Sequence, residues 1–97
     1  MELTFVQSSQ IFEKEHAHEV EFQVSDDFNL HVERIRGGRF LVYQRTTESG
    51  DYGLVDDFGK KDGVACIDYD FSAFVYPKWI KIVSESQPTV AVVTFNA

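Results

Sequence analysis

The chain has a single cysteine, Cys66, so no internal disulfide braces it and no zinc site of the usual cysteine spacing can be assembled. Cys66 stands in the apolar run Val64-Ala65-Cys66-Ile67, which reads as a buried, inert thiol rather than a nucleophile. Long apolar runs are missing too: nothing approaches the roughly 20 residues of a membrane-spanning helix. The opening Met1-Glu2-Leu3-Thr4-Phe5 lacks the basic start and apolar centre of a signal peptide. Taken as a complete product, the chain is expected to stay in the cytoplasm.

Basic residues are outnumbered, 9 against 16 acids, for a net charge of −7. Such a chain repels phosphate backbones and anionic lipid heads at long range, which argues against nucleic acid and membrane as partners. The acids are spread along the whole chain, so none form a separate acidic arm. Catalytic signatures are absent as well. No glycine-flanked serine sits at a strand–helix turn, no glycine-rich loop enters a helix, and no histidine pair has zinc spacing. The expectation is a protein that is not an enzyme.

What the sequence does have is aromatic residues in alternating patterns. Nine Phe and four Tyr among 97 residues suit a pleated, half-buried surface. Val20, Phe22 and Val24 alternate with Glu19, Glu21 and Gln23, and Phe28, Leu30 and Val32 alternate with Asn29, His31 and Glu33. Ser25-Asp26-Asp27 between them supplies turn residues, so the two runs read as a hairpin pairing Val24 with Phe28, Phe22 with Leu30 and Val20 with Val32. Gly37-Gly38 reads as a second hairpin turn, leading into a strand from Phe40 to Arg45.

Further along, Glu48 to Asp51 reads as a turn, Tyr52 to Val55 as a strand and Asp56 to Gly63 as a polar loop. Val64–Phe71, Phe74–Tyr76, Trp79–Val83 and Thr89–Phe95 follow as strands, with Pro77 ending one piece or marking an edge. Leu3 and Phe5 belong to a short first strand. Ser9 to His18 holds the one helical signal, a single turn set against an irregular edge segment. The expected fold is all-β: an antiparallel β-sandwich, jelly-roll or immunoglobulin-like, with about seven to nine short strands in a single domain over residues 1–97.

Several clusters invite chemistry, and each has a plainer reading. His16 and His18 share one face of an extended strand, but His31 points elsewhere and no third ligand is nominated. The loop from Asp56 to Gly63 matches a calcium loop poorly, because its acids do not alternate and two lysines interrupt them. Asp68 and Asp70 share a face and resemble a catalytic carboxylate pair; with Cys66 they more simply form the wet side of a strand whose core side is Ala65, Ile67, Tyr69 and Phe71. Arg34, Arg36, Arg39 and Arg45 either form an anion-binding corner or pair across strands with Glu33 and the Glu19–Glu21 face.

The densest aromatic stretch holds Tyr69, Phe71, Phe74, Tyr76 and Trp79. If Ile80 and Ile82 face inward, Trp79, Lys81 and Val83 face outward. The expectation is a non-enzymatic protein-interaction or assembly module that contacts another copy or a larger protein through Phe74, Tyr76, Trp79 and Lys81. The alternative is a small carbohydrate- or ligand-binding module, with Trp79 and Tyr76 stacking on the ligand and Asp68, Asp70 or Arg39 supplying polar contacts. A metal-dependent enzyme built on His16 and His18 ranks last. No cofactor is expected.

Overall fold

The computed structural model describes residues 1–12, 15–71, 78–86 and 90–95, of which 34–38, 56–65, 90 and 95 are described in backbone only. Six strands run in chain order: β1 (Val6–Phe12), β2 (Glu15–Val24), β3 (Phe28–Arg45), β4 (Gly53–Phe71), β5 (Lys78–Ser84) and β6 (Val90–Phe95). All pairings are antiparallel. No helix occurs among the described residues. None is therefore long and apolar enough to cross a membrane.

The strands form two antiparallel sheets, of five and three strands, that face each other as in a sandwich. The five-stranded sheet has the order β1-β2-β5-β3-β4, and β6 lies against β3. β3 and β4 are long enough to serve both sheets. β3 pairs with β6 from Phe28 to Glu33 and with β5 from Phe40 to Arg45. The core fills the space between: Val24, Phe40, Val42, Ile80 and Ile82 from the larger sheet meet Phe28, Leu30, Val32, Ile67, Ala91 and Val93 from the smaller. Phe5 is buried in the same core, with Leu3 packed against it.

Four sequence expectations change. The β2–β3 hairpin does not form, because β2 pairs with β1 and β5 while β3 pairs with β4, β5 and β6. The six apolar residues assigned to it still meet one core, with Val20 and Phe22 packed against the buried four. Ser25-Asp26-Asp27 carries the chain from one sheet to the other, so the two strands face across the core rather than lying side by side.

Gly37-Gly38 is likewise no hairpin turn. β3 passes through it, and the register with β4 shifts repeatedly there, between Val32 and Ile35, Arg36 and Gly38, and Arg39 and Leu41. Glycine inside a strand marks a bulge or corner, which is what a strand moving between two sheets requires.

The proposed loop from Asp56 to Gly63, with its faint calcium-loop spacing, belongs to β4. Of the segment from Ser9 to His18, Ser9–Phe12 and Glu15–His18 are strand rather than helix, and the irregularity is a bulge between Gln7 and Ile11. There Ser8 accepts from the Gln10 amide through Oγ, and its carbonyl lies 2.9 Å from His16 Nδ1. The turn at 48–51 is present, with the Gly50 amide donating to the Thr47 carbonyl at 3.3 Å. The strand expected at Phe74–Tyr76, together with Pro77, lies outside the described residues.

Candidate functional site

β5 is central to the five-stranded sheet, with β2 on one side and β3 on the other. Its inward residues Ile80 and Ile82 are buried in the main core, as the alternation predicts. Its other face carries three rows of side chains. Val83 stands between Glu19 and Leu41, Lys81 between Glu21 and Tyr43, and Trp79 between Gln23 and Arg45.

These rows differ in burial. Val83 does not face solvent: it is 1% exposed and forms a second apolar cluster with Ala17 and Leu41, against which Phe12 and Tyr43 pack. The outer face is therefore closed at this end. Lys81 and Trp79 are half-buried. The Lys81 ammonium lies 5.6 Å from the centre of the Tyr43 ring and 5.0 Å from that of Tyr52. The Arg45 guanidinium sits 4.6 Å from the Tyr52 ring centre, and its Nη1 donates to the Gly50 carbonyl at 3.2 Å. Arg45 Nε is buried with no hydrogen-bond partner.

Tyr52 ties this cluster together. Its hydroxyl donates to Glu21 Oε2 at 3.2 Å, bridging the turn before β4 to strand β2. Partial burial, then repulsion by and hydrogen bonding to the Glu21 carboxylate, push its pKa above the ordinary 10.0. Beside the cluster, Leu54 and Val55 are 57% and 44% exposed at the start of β4. A hollow of about 490 Å³ opens there, lined by Gln44, Arg45, Thr46, Thr47, Leu54 and Val55 among others.

A second polar group occupies the outer face of the smaller sheet. Asn29 Nδ2 donates to Asp68 Oδ1 at 2.7 Å and to Asp70 Oδ1 at 2.9 Å. His31 Nδ1 lies 3.0 Å from Asp68 Oδ2, and its Nε2 lies 3.2 Å from Glu33 Oε1. Hydrogen bonds to Glu33 and Asp68 raise the His31 pKa above 6.5. The Asn29 amide, followed by His31, lowers Asp68 below 3.8. Sequence alternation put Asp68 and Asp70, and separately Asn29, His31 and Glu33, on the wet sides of their strands; that the two sets meet follows only from the β3–β4 register. Among the described residues, no three His, Cys, Asp or Glu side chains are placed to hold a metal ion.

Of the expected contact residues, the structure places Trp79 and Lys81 on one face; Phe74 and Tyr76 lie outside the described residues. Arg45 joins that face, whereas Arg39 is exposed at the far end of its strand segment and its amide donates to Glu85 Oε2 at 2.8 Å. Cys66 corrects the expectation of a buried thiol. It is exposed, because strand alternation places it with Asp68 and Asp70 and not with Ile67. Comparison with protein-family models, curated proteins and solved structures finds no match.

Proposed function

We propose that this chain is a non-enzymatic protein-interaction module whose contact surface is the outer face of the five-stranded sheet around Trp79, Lys81, Tyr43, Tyr52 and Arg45. One observation carries the reading: Lys81 and Arg45 are held against tyrosine rings beside half-buried Trp79, with exposed Leu54 at the rim. Tyr, Trp and Arg dominate the energetic centres of protein interfaces, and side chains already fixed in place lose little entropy on binding. The carbohydrate reading is weaker, because Trp79, the described half of its Trp79–Tyr76 platform, is half-buried, and Lys81 and Arg45 already cover the neighbouring Tyr43 and Tyr52 rings.

The test is affinity capture from cells that make the protein, using wild type, Lys81→Glu and Leu54→Asp as baits. Wild type is expected to retain a specific protein that both variants lose while keeping the wild-type circular dichroism spectrum. Equal retention by all three folded baits contradicts the assignment of this face. A glycan array that binds wild type and not Trp79→Ala moves the function to carbohydrate.

A further inference from the structure

We infer that the hollow at the turn between β3 and β4 binds a small aliphatic carboxylic acid, its carboxylate on Arg45 and its apolar chain against Leu54 and Val55. The hollow shares Arg45 and Leu54 with the proposed contact face, but the inference holds whether or not a protein docks there.

Arg45 is the charged centre of the hollow. It is half-buried on a chain with 16 acids against 9 bases, yet among the described residues no carboxylate forms an ion pair with it. Its guanidinium rests on the Tyr52 ring, and one Nη1 N–H goes to the Gly50 carbonyl at 3.2 Å. Nε is closed to solvent and has no acceptor, which leaves the Nη groups as the end a ligand meets. A sheltered cation without a counter-ion is costly. A carboxylate relieves that cost with the fitting geometry, because a guanidinium grips it through two N–H groups at once.

The rest of the lining suits such a ligand. A volume of about 490 Å³ falls within the roughly 300–1,000 Å³ of small-molecule pockets. Thr46 and Thr47 bring exposed hydroxyls to it. Gln44 accepts from Lys78 Nζ through Oε1 at 3.0 Å, which leaves its amide N–H groups to donate. Leu54 and Val55, both largely exposed, form an apolar wall that an aliphatic chain would cover. Gly53 keeps the space beside them open: a Cβ there would meet only the Gln44 carbonyl oxygen, at 4.0 Å.

Charge sets the ligand's valence. Among the described lining residues Arg45 is the one cation and Asp51 the one carboxylate. A single negative charge balances Arg45, whereas a phosphate group, at about −1.5 to −2 near neutral pH, would bring excess charge against Asp51. Asp51 opposes even a monoanion, so removing its charge should tighten binding.

Backbone-amide NMR titration of the purified chain with 4-methylpentanoate, its uncharged amide and inorganic phosphate tests this without any protein partner. The acid is expected to give saturable shifts at residues 44–55, with the amide binding about tenfold more weakly. Phosphate should bind more weakly than the acid. Arg45→Gln is expected to lose the shifts, and Asp51→Asn to bind the acid about two- to fivefold more tightly. The spectra themselves report whether each variant folds, and Asp51→Asn leaves Arg45 and its stacking on Tyr52 in place. Absence of saturable shifts in wild type overturns the inference, as does equal binding of acid and amide, tighter binding of phosphate, or an Asp51→Asn variant that binds no better.

Discussion

Lys81 on β5 stands directly across from Tyr43 on β3, and its ammonium lies over the Tyr43 ring while also reaching Tyr52 from the turn that follows. A cation so placed is attracted by the ring quadrupole at about 0.5–1 kcal/mol where solvent still reaches it. Lys81→Gln is therefore expected to lower stability by about that much in urea denaturation. An unchanged midpoint and slope would mean that the rings hold no useful charge.

Tyr52 should ionise at higher pH than an ordinary tyrosine. Its raised pKa means that the folded state favours the neutral phenol, so its stabilising contribution is present below pH 10.0 and is lost as pH rises through the folded value. Ultraviolet titration at the phenolate band is expected to show a late component that Tyr52→Phe removes. In Glu21→Gln that component should move to lower pH, because the carboxylate beside the hydroxyl is gone.

His31 and Asp68 set a pH window for the smaller sheet. The raised His31 pKa stabilises the fold fully below 6.5, and that contribution fades as pH rises through the folded value. The lowered Asp68 pKa stabilises above 3.8 and fades as pH falls through its folded value. The stability difference between wild type and His31→Gln is thus expected to be larger at pH 5 than at pH 8, by urea denaturation. A difference that grows toward pH 8 contradicts the assignment.

Both faces of the five-stranded sheet should matter to stability. Phe40, fully buried in the main core, is expected to cost about 3–5 kcal/mol when changed to alanine. Val83→Ala removes two methyl groups from the outer cluster, at roughly 0.8 kcal/mol each plus a cavity term, for about 2 kcal/mol. A neutral Val83→Ala would put that residue back in solvent, where simple alternation had it.

That contrast marks how far the sequence could be read. Alternation correctly separated Ile80 and Ile82 from Trp79 and Lys81, because a period of two fixes faces within one strand. It could not say that Phe12, Ala17 and Leu41 would meet over Val83, since that cluster joins the consecutive strands β1 and β2 to β3 and β5, which are distant from them in sequence. The six apolar residues from Val20 to Val32 were rightly grouped in one core, yet the same pattern fits two strands side by side or face to face. Gly37-Gly38 failed for a related reason: glycine suits a tight turn and a strand corner equally, and only pairing with β4 through the bend decides between them. The Tyr52–Glu21 bridge was invisible for lack of any local signal, being a contact between residues 31 apart in sequence.

The most direct test of the proposed contact surface is site-specific photo-crosslinking in cells, with a photoreactive residue at Leu54 beside the Lys81–Tyr43 row and, as control, at Asp68 on the opposite sheet. Both positions are exposed, and circular dichroism checks that each labelled protein folds. The account predicts a discrete crosslinked protein from position 54 and none from position 68. No crosslink at 54, or the same products from both positions, would contradict it.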